Sequence, residues 1–228
     1  PDILNRHISF LRWFIVLEKI FSATTMPVLN KAMDISMLRD TVIANNIANA
    51  LTPGYKSSRP LLNTAKDNVV RGSGSLDGNN QVNSLSSYIN FIDAPLVETG
   101  NKLDLGIEGD GFFVISVDGK NMYTTNGQFA INKEKKLVTL DGYPVMGDGG
   151  EISLDGNDIR VENDGTIFVD KSQVDKIKVV TFEDKSHLKN YGGSMFINAK
   201  EDSPEITPEK YTVKQGFYEA SNVDVMKE

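Results

Sequence analysis

Cysteine is absent from this 228-residue chain, and its two histidines, His7 and His187, stand far apart in the sequence. A chain without cysteine cannot form a disulfide framework or a thiolate zinc site. The motifs of serine hydrolases, zinc proteases and P-loop proteins are also missing. We therefore expect no catalytic residues, no metal site and no cofactor.

Long apolar runs and excess positive charge are lacking as well. No stretch reaches about 18 apolar residues, the length that a membrane-spanning helix requires, so we expect no such helix. The most apolar segment, residues 8–21, is interrupted by Arg12, Glu18 and Lys19 and lacks the features of a secretory signal. A formal net charge of −7 argues against a nucleic-acid partner, because phosphate contacts need clustered Lys and Arg.

Residues 28–50 have the periodicity of an amphipathic helix. Pro53 and Gly54 should end the helix near Thr52, because proline disfavours the helical conformation in the residue before it. The apolar stripe is narrow enough to pack against another helix, and residues 1–55 are predicted to form a helical terminal region. The stripe comprises Val28, Ala32, Ile35, Leu38, Val42 and Ile43.

The remaining chain changes in character twice. Residues 56–87 are polar and weakly periodic, which indicates an extended linker with room for one short strand. In residues 88–220, short alternating runs are separated by Asp-Gly pairs and by Asn126-Gly127, which suit tight hairpins. We therefore predict a mainly β fold, with an antiparallel β-rich body over residues 88–220 and a helical N-terminal region. The predicted strands are Phe112–Val117, Gln128–Ile131, Ile152–Leu154, Ile159–Val161, Thr166–Val169, Ile177–Phe182 and Tyr211–Val213.

The aspartates also raise the question of calcium. The stretches Asp155–Glu162 and Glu162–Asp170 do not follow the alternating oxygen ligands of a calcium loop. Turn-forming aspartate is the better interpretation.

Three sequence blocks resemble the flagellar rod and hook protein family. The first is IANNIANALTPGYK, residues 43–56, and the second is GNKLDLGIEGDGFF, residues 100–113. A third, QGFYEASNV, covers residues 215–223, and further similarity lies in residues 123–129 and 137–144. The residues that match the family motifs are Asn46, Ile47, Ala48, Asn49, Thr52, Pro53, Gly54, Tyr55 and Lys56, then Leu103, Asp104, Gly109, Gly111, Phe112 and Phe113, and finally Ser221, Asn222 and Val223.

The resemblance implies a function as well as a fold. Proteins similar to this one are structural subunits of the flagellar basal-body rod, a helical shaft that transmits torque from motor to hook. The implied partners are other rod and hook subunits and the flagellar export apparatus, and the implied location is the basal body, outside the cytoplasm. The stretch GYPVMGDGGEISL, residues 142–154, and the compact length between Lys56 and Ser221 look more like the proximal than the distal rod protein.

Two departures from the family pattern stand at the ends of the chain. About 25 residues precede the first helix, and the chain stops at Glu228, so residues 221–228 are expected to be only the start of the family's C-terminal helix. The helix at residues 28–50 would then lack its usual partner. It could fray, self-associate or pack against residues 8–21, and we favour the last two.

Two other function classes remain open at this point. One is a free-standing β-domain that acts as an adhesin or binds carbohydrate. The other is an enzyme that acts on peptidoglycan, because the spacing of carboxylates in a sequence cannot show whether they flank a cleft.

Overall fold

The N-terminal region of the described chain is a single α-helix, α1, over residues 29–48. A computed structural model of the protein describes residues 29–64, 82–200 and 203–227. Val28 and the expected packing of residues 8–21 onto the helix lie outside these residues. In the part that is described, no helix is both long enough and apolar enough to cross a membrane.

The burial of α1 follows most of the predicted stripe. Val42 is buried, and Ile35, Leu38 and Ile43 are half-buried, whereas Ala32 is exposed, so the buried stripe is narrower than predicted. The same helix also carries large apolar side chains that are exposed by half or more of their surface, namely Leu29, Met33, Met37 and Ile47. The helix therefore has two apolar sides: the side with Val42 is partly or fully buried, and the side with Met33 and Met37 is exposed.

The rest of the described chain is built from strands, with one short 3₁₀ turn at Lys185–His187. The strands are β1 Ser58–Thr64, β2 Val82–Ile89, β3 Leu96–Glu98, β4 Leu105–Gly109, β5 Phe112–Val117, β6 Lys120–Thr124, β7 Phe129–Ile131, β8 Leu137–Thr139, β9 Met146–Gly147, β10 Gly150–Glu151, β11 Ile159–Val161, β12 Thr166–Val169, β13 Ser172–Lys176, β14 Val179–Val180, β15 Leu188–Gly192, β16 Met195–Asn198, β17 Tyr211–Gln215 and β18 Phe217–Glu219.

A five-stranded antiparallel sheet, in the order β14-β5-β6-β16-β15, forms the centre of the body. Its strand β5 reads FFVISV and is apolar on both faces. Phe113, Ile115 and Val117 belong to one core cluster, while Phe112 and Val114 belong to another. A strand that is covered on both faces should read as a continuous apolar run rather than an alternating one, which explains this sequence.

The described chain also contains several smaller sheets. Strands β11, β12 and β13 form an antiparallel sheet, and β17 pairs with β4 while β18 pairs with β3, both antiparallel. These last two pairs bring residues 211–219 beside residues 96–109. Strands β1 and β2 also pair with each other, so the segment that was predicted to be an extended linker contains a two-stranded sheet.

The mainly β prediction with a helical N-terminal region is confirmed, and most predicted strands are present. Three local expectations were wrong. Residues 152–154 form only an isolated bridge, Lys136 to Ser153, and Asn126-Gly127 is not the turn of a hairpin. No helix begins at Ser221, because residues 221–224 have no regular structure and residues 225–227 form a turn.

The described residues fall into two compact units. The first comprises residues 29–43, 60–64 and 82–86, and the second comprises residues 44–59 and the described part of 87–227. The second unit contains both core clusters and all three family motifs except Ile43, the first residue of the first motif. The domain limits at residues 55, 87 and 220 remain predictions.

Candidate functional site

The first family motif begins at the end of α1, where side chains bind the last turn of the helix. The Asn49 Nδ2 donates to the Asn45 carbonyl at 2.9 Å, and the Thr52 hydroxyl donates to Asn49 Oδ1 at 3.2 Å. Side chains of this type can satisfy the carbonyls that a helix end leaves unpaired. The chain then turns at Gly54, which has a φ of 67°.

Gly54 is required by space as well as by its backbone conformation. A Cβ atom at this position would lie 2.3 Å from the backbone nitrogen of Asn126. The Thr125 hydroxyl donates to the Gly54 carbonyl at 2.7 Å, so the motif is pressed against the segment that contains Asn126-Gly127. Only glycine combines this close approach with a positive φ at no steric cost.

The side chain of Asn46 hydrogen-bonds both backbone groups of Ser58, as a paired strand would. Its Oδ1 accepts from the Ser58 amide at 2.9 Å and its Nδ2 donates to the Ser58 carbonyl at 2.9 Å. The same Oδ1 accepts the Tyr55 hydroxyl at 3.3 Å, and both Asn46 and Tyr55 are buried. The motif asparagine and tyrosine therefore connect the end of the helix to the chain that follows it.

Lys56 forms a buried ion pair with the third motif. Its Nζ lies 2.8 Å from Oε1 of Glu219, and the side chains are 2% and 5% exposed. The Lys56 ammonium also donates to the Ile92 carbonyl at 3.2 Å, and the Ala94 amide donates to Glu219 Oε1 at 2.7 Å. Hydrogen bonds to both partners offset part of the desolvation cost of such a pair.

Asn222 joins three stretches of chain. Its Oδ1 accepts from the Ser57 amide at 2.6 Å, while its Nδ2 donates to the carbonyls of Asn90 and Ile92 at 2.8 and 2.9 Å. Its own amide donates to the Tyr55 carbonyl at 3.2 Å. We call the assembly of Asn46 with residues 54–58, 90–94 and 219–222 the clasp.

The second motif builds the body rather than the clasp. Asp104 is buried and accepts from the Thr99 hydroxyl and the Asn101 amide group, at 2.7 and 2.9 Å. Gly109 and Gly111 are glycines because a Cβ would lie 2.8 Å from the Lys210 carbonyl and 2.7 Å from a Val179 methyl, respectively. Phe112 and Phe113 fill the two core clusters, and Leu103 packs against one of them.

The structure thus brings some motif residues together and separates others. Asn46, Gly54, Tyr55, Lys56, Ser221 and Asn222 belong to the clasp, and the remaining motif residues do not. Ile47 and Ala48 are exposed on α1, Pro53 is half-buried in the turn, and Ser221 and Val223 are half-buried beside Asn222. The sequence interpretation did not single out Glu219, although it lies inside the quoted third motif, because nothing local shows that its partner is 163 residues away.

A second polar cluster lies on the body, around Glu205. Its carboxylate accepts from the Tyr123 hydroxyl at 2.7 Å and from Asn121, and it pairs with Lys178 at 2.6 Å. Burial alone would raise the pKa of Glu205, but the hydrogen bonds from Lys178, Tyr123 and Asn121 outweigh burial and hold this pKa below its ordinary value. Burial and then the carboxylate raise the pKa of the Tyr123 hydroxyl.

The described side chains include no group of three or more His, Cys, Asp or Glu residues placed to hold a metal ion. His187 lies 3.2 Å from Asp184 at a half-exposed position, and His7 lies outside the described residues. The clasp itself is made from neutral amide groups and the buried ion pair of Lys56 with Glu219.

Comparison with known proteins gives a consistent result. Residues 106–169 match the family model described as the D1 domain of the flagellar hook proteins FlgE, FlgF and FlgG. The chain is 34% identical to the flagellar basal-body rod protein FlgF of Caulobacter vibrioides, over 80% of the chain and 75% of that protein. It is 31% identical to FlgG of Agrobacterium fabrum, over 86% and 84%, and 32% identical to FlgG of Bacillus subtilis, over 82% and 80%. The chain therefore belongs to the family of flagellar basal-body rod proteins.

Proposed function

We propose that this chain is a rod subunit that polymerises with other rod and hook subunits into the helical shaft between the flagellar motor and the hook. The observation that carries the proposal is similarity to named rod proteins over four fifths or more of the chain. Open, head-to-tail contacts between subunits generate helical filaments of this kind.

The exposed apolar side of α1 supports an assembly role. Leu29, Met33 and Met37 recur at four-residue steps, which places them on one side of the helix, and each is more than half exposed. Large apolar groups that cluster on a surface mark a contact with another protein. In the proposed function this side of α1 contacts neighbouring subunits.

A gene deletion tests the proposal directly. In a flagellated host that lacks this protein, we expect basal bodies without a complete rod, without a hook and without motility, and we expect all three to return when the chain is supplied. Electron microscopy of isolated basal bodies provides the measurement. Complete rods in the deleted strain would contradict the proposal.

We assign the subunit to the proximal, FlgF-like type. Relatives named FlgF and FlgG both match the chain, and the 142–154 stretch together with the compact length between Lys56 and Ser221 favours the first. The test is cross-complementation. The chain should restore motility to a strain that lacks FlgF and leave a strain that lacks FlgG non-motile, and the opposite result would assign it to the distal type.

We also propose that the chain leaves the cytoplasm through the flagellar export apparatus and acts without catalysis. In a strain whose export apparatus is inactive, the chain should accumulate in the cytoplasm, and fractionation would show this. Purified chain should release no fragments from peptidoglycan, whereas release that a single carboxylate substitution abolishes would make it an enzyme.

A further inference from the structure

The described methionines differ widely in their exposure to solvent. Met33 and Met37 on α1 are 54% and 64% exposed, and Met226, beyond β18, is 98% exposed. Met122 on β6 is 2% exposed and belongs to the larger core cluster. The thioether sulfur lies near the end of a flexible side chain, so an exposed methionine presents its sulfur to small solutes. Met33 and Met37 are therefore open to chemical modification in the unassembled subunit, and Met122 is not.

Met33 and Met37 share one side of α1 with Leu29. Residues four positions apart in a helix lie one above the other, about 6 Å along the axis. Two of the large apolar groups on this side are thus thioethers, and both belong to the surface that contacts neighbouring subunits in the proposed function. Met226 is more exposed but lies outside the helix, in the turn at 225–227.

A peroxide converts a thioether of this kind to a sulfoxide. The sulfur attacks one peroxide oxygen, the O–O bond breaks, a sulfur–oxygen bond forms, and with hydrogen peroxide the other oxygen leaves as water. The sulfur is oxidised by two electrons and the peroxide is reduced by two. The product is a polar, chiral side chain, and its oxygen must give up hydrogen bonds to water when an apolar partner covers it.

We propose that Met33 and Met37 form a redox-modification site: peroxide oxidises this pair in the unassembled subunit, and the two sulfoxides disrupt the contact of α1 with a neighbouring subunit. The effect on that contact rests on the proposed rod function, whereas the chemistry rests only on the exposure of the two residues. Enzymatic reduction of both sulfoxides restores the apolar side, because methionine sulfoxide reductases reverse the reaction.

The chemistry is tested on the purified chain with hydrogen peroxide as the only oxidant. Peptide mass spectrometry follows the gain of one oxygen at each methionine. Met33 and Met37 should react at rates within about threefold of Met226, and Met122 should react at least about tenfold more slowly, since access to the sulfur controls oxidation. Equal rates at Met33, Met37 and Met122 would overturn the site, because exposure would then not select the pair.

The consequence for assembly is tested by complementation of a strain that lacks this protein. Met33→Gln/Met37→Gln introduces polar amides at the two positions, and glutamine forms helices about as readily as methionine. This variant should restore less than about a tenth of the motility that the parent chain restores. Met226→Gln is the matched control, an exposed methionine outside α1, and should restore motility as the parent does.

Met33→Leu/Met37→Leu separates oxidation of the pair from general damage by peroxide. Leucine keeps this side of α1 apolar and cannot form a sulfoxide. Without peroxide, cells with the parent chain and cells with the leucine variant should form equal numbers of hooks, counted by electron microscopy. After a sublethal peroxide pulse during rod assembly, cells with the parent chain should form several-fold fewer hooks than cells with the leucine variant. An equal loss in both would overturn the modification site.

Failure of this inference is distinguishable from failure of the proposed function. If the parent chain restores no motility in the absence of peroxide, the rod assignment is wrong, and the rates at individual methionines still decide the chemistry. If the parent chain restores motility and the glutamine pair restores it equally well, the rod assignment stands and the modification site is overturned.

Discussion

The ammonium of Lys56 and the carboxylate of Glu219 lie 2.8 Å apart, although 163 residues separate them in the chain. Both side chains are buried, so each charge depends on the other and on the backbone groups of Ile92 and Ala94. The Lys56 ammonium also lies 4.0 Å from the carboxylate of Asp93, which is exposed. Removal of one charge from such a pair leaves the other buried and uncompensated, which is more harmful than removal of both.

Lys56→Met should therefore lower the free energy of unfolding by about 3 kcal/mol. The double variant Lys56→Met/Glu219→Gln should be more stable than Lys56→Met alone, because the glutamine carbonyl can still accept from the Ala94 amide. Urea unfolding of the parent, both single variants and the double variant measures this. Lys102→Met, in an exposed pair with Asp158, is the control and should cost less than about 1 kcal/mol. Equal losses of unfolding free energy in Lys56→Met and Lys102→Met would show that the buried pair matters no more than the exposed one.

Gly127→Ala should destabilise the body through a direct clash of backbone atoms. A Cβ at residue 127 would lie 1.6 Å from the Leu105 carbonyl oxygen, and the backbone on both sides is fixed by the bond from the Leu105 amide to the Gly127 carbonyl. We expect a loss of about 3 kcal/mol or more in thermal or urea unfolding.

Gly119→Ala separates the clash from backbone strain. Gly119 has a φ of 75° but no atom within 4 Å of the added Cβ, so the cost should be only about 1 kcal/mol. A loss at Gly127 no larger than at Gly119 would mean that the segment containing Asn126 can shift without harm.

The turn between β12 and β13 offers a stabilising change. Asp170 and Lys171 both have positive φ, 48° and 72°, a conformation that side chains other than glycine and asparagine disfavour. Lys171→Gly should raise the free energy of unfolding by about 0.5–1 kcal/mol, as the turn is relieved of strain but the unfolded chain gains freedom. Lys133→Gly, at an exposed turn position outside the positive-φ set, should not stabilise, and a gain there equal to that at Lys171 would refute the strain argument.

The lowered pKa of Glu205 predicts how the stability of the fold changes at acid pH. Its pKa in the folded protein is below the ordinary value of 4.5, so the folded state holds this proton less tightly than the unfolded chain does. The stabilisation is present above pH 4.5 and is lost as the pH falls through the lower folded-state pKa. Glu205→Gln should therefore flatten the fall in stability below pH 4.5, measured by urea unfolding at several pH values. Glu209→Gln, an exposed neighbour, is the control, and an unchanged acid slope in Glu205→Gln would contradict the prediction.

The raised pKa of Tyr123 predicts how the stability of the fold changes at alkaline pH. Because burial and Glu205 raise the pKa of the hydroxyl above 10.0, the folded state keeps its proton when the unfolded chain has lost it. This contribution to stability is present below pH 10 and declines above it. Tyr123→Phe should cost about 1 kcal/mol at neutral pH and weaken the further loss above pH 10. An alkaline transition identical to that of the parent would show that another group controls it.

Much of the fold followed from local patterns. The stripe of α1, its end before Pro53 and the apolar run of β5 are consequences of periodicity and proline geometry, so they could be predicted. The hairpin expected at Asn126-Gly127 was wrong for a tertiary reason, since this glycine is needed where another strand passes close by, and a turn residue pair looks the same in both situations. Strand β13, SQVDK, was missed because its exposed polar residues give no apolar alternation.

The sequence by itself determined the fold class, the position of the helix and, through its motifs, the family, because these depend on neighbouring residues and on the order of blocks along the chain. Only the tertiary structure decided what the motif residues do. Asn46, Lys56 and Asn222 find their partners across gaps of 12, 163 and 165 residues. Such pairings depend on how the strands between them fold, and no local propensity contains that information.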